Sequence, residues 1–165
     1  MWNVAVLVIL IAVAGVYTTR NVQTLDAVQG SLDASNAAEM GIYRQAVIDY
    51  FSAHDLRATS VAAATLRSSG YLPAWTRMYQ QGGALAWSNY RDANGVIYVY
   101  ALGVPDRSLA GELVRLARHS VLLGVYDGNS ATLQSPVHGN TGIPISALSG
   151  RSIPDGAPVW IAMTK

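Results

Sequence analysis

The sequence predicts an α+β fold: an N-terminal transmembrane helix followed by a small domain of about three helices and a mainly antiparallel sheet. Three observations carry this expectation. Met1 to Thr19 holds no charged side chain, and Val4 to Val16 is apolar almost without relief. Apolar residues then recur at three- and four-residue steps as far as Phe51, the period of an α-helix. Beyond residue 86 the period falls to two and turn residues separate the runs, as in β-hairpins. Helices first and hairpins later read as α+β rather than as alternating βαβ units.

The uncharged stretch sets the domain division. At about 1.5 Å per residue it reaches roughly 28 Å, close to the ~30 Å hydrocarbon core of a bilayer. The expected anchor residues are Trp2, Val4, Val6, Leu7, Ile9, Leu10, Ile11, Val13, Val16 and Tyr17. Trp2 and Tyr17 stand where aromatic belts form, and Arg20 is the first charge to follow. No polar face repeats along the run, and a helix apolar all round lies in lipid or deep in a core. Residues 1–20 are therefore expected as the anchor, 21–56 as a helical extension and amphipathic helix, and 57–165 as an α+β domain. An N-in topology places that last domain in the periplasm, with the anchor in the bacterial inner membrane as a single pass.

Two rivals use the same residues. Ala12-Val13-Ala14 fits a signal-peptidase site, which would release a secreted binding domain or enzyme. Against cleavage, Met1-Trp2-Asn3 lacks the Lys or Arg that opens a signal, and a cut after Ala14 leaves a very short peptide. A minor pilin-like subunit also begins with an apolar helix. Pilin precursors resemble one another in a charged leader ending in Gly and a Glu just inside the mature helix, and neither precedes nor interrupts Val4 to Val16 here.

The elements follow in order. Ala34, Ala38, Ile42, Tyr43, Ala46, Val47, Tyr50 and Phe51 mark one face of an amphipathic helix over 34–51, with His54-Asp55 at its exit. A second helix is expected over 59–68, ended by Gly70, before Tyr71-Leu72-Pro73 enforces an extended connection. Strands at 86–91 and 96–101 flank Asp92-Ala93-Asn94-Gly95, whose Asn-Gly suits a tight turn with positive φ. Asp106 is the candidate N-cap of a third helix with Leu109, Leu113, Val114, Leu116 and Ala117 as its buried stripe. Strands at 121–126 and 131–134 come next, then a Pro- and Gly-rich loop with a short edge strand near 143–147. A strand over 159–163 finishes the sheet.

Composition excludes more chemistry than it suggests. Eleven Lys plus Arg against ten Asp plus Glu give a net charge of +1, which offers nucleic acid no basic footprint. There is no cysteine, hence neither a disulfide nor a thiolate metal site. The three histidines show no ligand spacing, so no metal and no cofactor is expected. His54-Asp55 reads as helix-end capping, because adjacent residues rarely form a base and its orienting carboxylate. His119 suits the negative end of a helix dipole. Arg107, Arg115 and Arg118 are interleaved with Asp106 and Glu112, as on a solvated face. No catalytic residue is assigned, and a non-enzyme is expected. Tyr71, Trp75, Tyr79, Trp87 and Tyr90 cluster in sequence; most belong in a core, and Tyr71, Trp75 and Tyr79 are the candidate partner contacts if they stay exposed.

An N-terminal Met-Trp ahead of the anchor, the helix carrying Tyr43 to Phe51, SSGYLP at 68–73 and SIPDGAPVW at 152–160 together resemble the PilM family of conjugative thin-pilus systems. That family is distinct from the actin-like cytoplasmic protein of the same name, for which this chain is too short and lacks nucleotide motifs. The resemblance implies an inner-membrane component of type IV pilus biogenesis in conjugation, acting in pilin transport or at the basal body. It implies other pilus assembly proteins as partners, with the membrane and with self-association as a further option. It brings no catalytic residues.

The three readings of the N-terminus separate on one measurement. N-terminal sequencing of the mature protein is expected to return an intact Met1; a start at Gly15 would establish cleavage, and a methylated start near Trp2 or Asn3 a pilin.

Overall fold

The computed structural model describes residues 30–31, 33–76, 87–104 and 107–163. The anchor expected over residues 1–20, Tyr79 and the cap expected at Asp106 lie outside the described residues. Among the described residues, no helix is long and apolar enough to cross a membrane.

The remainder is α+β, with three helices among the described residues and a six-stranded antiparallel sheet. Helix α1 runs over 33–53, followed by α2 (Ala63–Ser68), β1 (Trp87–Arg91), β2 (Val96–Ala101) and α3 (Arg107–Leu116). Strands β3 (Leu123–Val125), β4 (Thr132–Ser135) and β5 (Gly139–Pro144) come next. A 3-10 turn at Ser146–Leu148 precedes β6 (Pro158–Met163). The sheet order is β1-β2-β6-β3-β4-β5. Since β2 and β3 both pair antiparallel with β6, they run parallel to each other, and α3 is the crossover between them.

Helix α1 lies on the sheet face that carries Asn89 and Trp160. Tyr43, Val47 and Phe51 are buried as the apolar period requires. The buried stripe is rotated from the sequence expectation, however: Ala37 and Met40 are inside while Ala38 is exposed. Met40 fills a gap that the smaller alanine does not reach, and a flexible thioether suits that task. Asn89 is buried in β1 and donates to the Tyr43 hydroxyl at 2.6 Å and to the Val61 carbonyl at 2.8 Å; its own carbonyl accepts from the Val61 N–H at 2.9 Å. One amide thus holds helix, strand and the 59–61 segment together. Arg44 lies over the Trp160 ring at 4.7 Å and donates to the Ile161 carbonyl at 3.2 Å. That carbonyl needs a donor because the Leu122 N–H opposite it is taken by the Ser120 hydroxyl. Helix α3 packs beside α1 at Gly41, where an added Cβ would sit 3.2 Å from Leu116 Cδ2. On the opposite face, Arg151 covers the Tyr90 ring at 3.4 Å, and Ile145, Leu148 and Ile153 are buried beneath the same segment.

Several boundaries differ from the sequence expectation. Residues 59–62 are extended, not helical: Thr59 exchanges two backbone hydrogen bonds with Arg91, so a β-bridge takes the groups a helix would need. In the 92–95 turn only Gly95 has positive φ (90°); Asp92 Oδ1 instead gathers the N–H groups of Asn94 and Val96 at 2.9 and 2.8 Å. Leu116 is more exposed than a buried stripe allows.

The ends of α2 and α3 repeat one motif with different residues. At α2, the N–H of Tyr71 reaches back to Leu66 and that of Gly70 to Arg67, with Gly70 at φ 76°. At α3, His119 reaches Val114 and Arg118 reaches Arg115, but the left-handed residues are Arg118 (φ 51°) and His119 (φ 57°). Glycine would serve such positions without the Cβ penalty, which is about 1 kcal/mol or more per residue.

The outer strand β5 is irregular. Its pairing with β4 slips between Thr132 and Gln134, and Gly139 and Gly142 both have positive φ. The N–H groups of Gly142 and Ile143 are taken by the Asn140 and Thr141 side chains at 2.9 and 3.2 Å. The strand begins at Gly139, earlier than the apolar run at 143 suggests, because these local bonds rather than β propensity hold it.

The packing sets two measurable outcomes. A Cβ at Gly124 would lie 2.5 Å from the Gln134 carbonyl oxygen and 2.6 Å from Leu133 Cγ. Gly124→Ala is expected to cost about 1–3 kcal/mol, read as a lower denaturation midpoint. Burial raises the Tyr43 hydroxyl from an ordinary 10.0 to about 12, with Asn89 opposing and Tyr100 adding slightly. Burial first, and then the Asp92 carboxylate, likewise raises Tyr98 to about 12. Both tyrosines release their proton more readily in the unfolded chain, so stability is full below pH 10 and falls as pH rises from 10 toward 12. Tyr43→Phe should flatten that fall in an alkaline melting series.

Candidate interaction surface

The residues expected to carry partner contacts sit just after α2. Gly70 closes the helix and Leu72 turns into the core, so the chain reverses at a fixed point. Thr76 is buried; its N–H and its hydroxyl both donate to the Pro73 carbonyl, at 3.2 and 2.8 Å. This pins a turn whose tip is Ala74-Trp75. Trp75 stands outside with 69% of its surface exposed, the largest exposed ring among the described residues. A rigidly presented, solvent-facing indole is costly to leave in water and well suited to anchoring a partner.

Tyr71 is half-buried and belongs to a small aromatic cluster at the end of α1. It meets Tyr50 edge-on at 5.7 Å, and Tyr50 stacks on His54 at 4.4 Å between centroids. Trp87 is buried, so of the sequence cluster it is Trp75 that remains fully available.

His54 and Asp55 do not face each other. The His54 Nδ1–H donates to the Tyr50 carbonyl at 2.9 Å, closing the last turn of α1. Asp55 is exposed and pairs with Arg57 at 3.3 Å and Arg91 at 3.0 Å. The Arg57 hydrogen bond and charge, with Arg91 behind them, hold its carboxyl below the usual range. His119 stands beyond the last turn of α3 rather than within it, and its carbonyl accepts from His138 Nε2 at 2.8 Å. Arg115 pairs with Glu112 along α3, as a solvated face would. Among the described residues, no group of three His, Cys, Asp or Glu is placed to hold a metal ion.

One concavity was not foreseen from the sequence. An open groove of about 420 Å³ lies at the N-terminal end of α1, walled by Trp87, Leu102, Val104 and Leu109, with Asn36 and Glu39 on its rim. Leu102 and Val104 are exposed there. The signal for it was two apolar residues around Gly103, immediately after a strand. Its walls offer apolar contact and no nucleophile.

A fold with a sheet clamped by α1, an outward Trp75 and a mainly apolar groove carries the features of a binding module. The family model described as PilM matches residues 8–161, nearly the whole chain. The chain belongs to the PilM family. Neither the curated proteins nor the solved structures give a match. Membership in the PilM family connects this fold with pilus biogenesis and with other pilus assembly components as its partners. The SSGYLP residues that carried the resemblance include the Gly70 helix end and the Tyr71 ring. SIPDGAPVW contains the buried Ile153, Ala157, Val159 and Trp160. Most of what those PilM residues do is therefore structural.

Proposed function

We propose that this PilM-family protein is a non-enzymatic component of a thin, conjugative type IV pilus assembly machine. It is held in the bacterial inner membrane by residues 1–20, N-in and with a single pass, and it docks other pilus proteins through a periplasmic domain. The observation that supports the docking role is Trp75, held outward by the buried Thr76 turn. The uncharged run from Met1 to Thr19 supports the tether. Tethering acts by position: a domain fixed to a membrane meets partners in the same membrane at a high effective concentration.

The alternative readings are a minor pilin-like subunit and a secreted periplasmic binding domain or enzyme released by signal cleavage. Trp75→Ala is expected to leave the melting temperature within about 2 °C while lowering recovery of pilus components with the full-length chain by roughly tenfold, the effect of a lost aromatic anchor. Affinity recovery from membranes carrying the whole assembly system measures this. Equal recovery with the unaltered chain and the Trp75→Ala variant would remove Trp75 from the contact, and recovery of no pilus component with either would remove the assembly role.

A further inference from the structure

The end of the sheet remote from the groove carries a second surface. Helix α3, the 117–122 turn that leads into β3 and the 136–138 turn between β4 and β5 meet there. Their contact is fixed by the 2.8 Å bond from His138 Nε2 to the His119 carbonyl. Val121 and Val137 project from these two turns with 45% and 49% of their surfaces exposed. Around the valines lie Arg118, His119 and His138, all exposed. The surrounding chain holds no acid: none occurs from Leu113 to Tyr126 or from Gly128 to Pro154. Glu112, the nearest carboxylate in sequence, is paired with Arg115.

The backbone at this corner is unfavourable for the residues it carries. Arg118 and His119 both adopt left-handed φ, at a helix end where the same chain uses Gly70 in the equivalent α2 motif. Nothing in the fold requires a guanidinium there. Arg118 makes no ion pair with a described residue and covers no ring. Strained backbone positions cluster at functional sites, and this one carries a solvent-facing cation.

From these observations we infer that the Arg118–Val121 and Val137–His138 corner docks an acidic protein segment. Apolar side chains of that segment pack on the two valines, and its carboxylates pair with Arg118. The inference rests on the assembly reading, because it takes the partner to be another pilus protein. Charge complementarity names the partner's chemistry: an exposed apolar patch beside a guanidinium, with no acid in the flanking chain, favours apolar residues flanked by Asp and Glu. A guanidinium adds paired hydrogen bonds to a carboxylate that an ammonium does not reproduce.

The test uses the full-length chain in cells producing the complete assembly system, with a photo-crosslinking residue at Val121, at Val137 or at Trp75. The expected result at Val121 and Val137 is an adduct with a pilus assembly protein whose crosslinked peptide is rich in Asp and Glu. Arg118→Gly should lower that capture about tenfold while leaving the melting temperature unchanged or raised by a few degrees, since it relieves the backbone. Arg118→Lys should keep part of the capture. Adducts with lipid or with a second copy of this chain, capture unchanged by Arg118→Gly, or no adduct at either valine would each overturn the inference. If Trp75 still captures a pilus protein in that last case, the assembly reading stands and this surface alone is lost. Silence at all three positions removes both.

Discussion

Everything in this domain hangs from one buried guanidinium. Arg91 lies in β1, almost wholly inside, and donates to the Phe51 carbonyl in the last turn of α1 at 3.4 Å and to the His54 and Leu56 carbonyls just beyond it at 3.4 and 3.0 Å. The Asp55 carboxylate closes the charge at 3.0 Å. The backbone of the same residue forms the bridge to Thr59. A helix end needs donors, a buried cation needs a counter-charge, and an edge strand needs a neighbour. Arg91 answers all three at once, which explains why a charged residue is buried at the end of β1. With α1 locked at that end and bonded to Asn89 through Tyr43, the sheet has a fixed helical cover, and the rest of the core assembles against it.

The sequence disclosed the elements whose signals are local. The α1 period, the β1–β2 hairpin around Gly95, the Gly70 helix end and the β6 run are written in spacing and turn chemistry, and they occur where expected. What it concealed depends on distant partners. Nothing near Arg91 announces that its charge will be buried, because the carbonyls that justify it arrive from residues 51–56. Thr59 looked helical until Arg91 supplied a strand beside it. Strand β5 has little β propensity and exists through bonds from Asn140 and Thr141. At the surface, the sequence offered five neighbouring aromatics without saying which would stay outside, and the Thr76 turn is what leaves Trp75 there. The positive φ at Arg118 left no trace in the sequence, since arginine is an ordinary helix residue.

Family membership and geometry answer different questions. The PilM match covers nearly all of the chain and leads to pilus assembly. The geometry supplies contact features without a catalytic constellation among the described residues. The two exposed surfaces lie on different parts of the domain and have different chemistry: an indole on a pinned turn, and an apolar corner beside the Arg118 guanidinium. A protein with two such surfaces suits a role as a connector between components.

The irregular outer strand bears on how such a protein keeps company with chains that polymerise. A sheet that ends in a straight strand offers a row of free donors and acceptors, and any extended segment in the neighbourhood can extend it. In β5 the donors of Gly142 and Ile143 are already spent on Asn140 and Thr141, residue 144 is a proline without one, and two glycines bend the strand off line. This border of the sheet is closed to templated growth. With those donors occupied, contacts along this border fall to side chains rather than to backbone pairing.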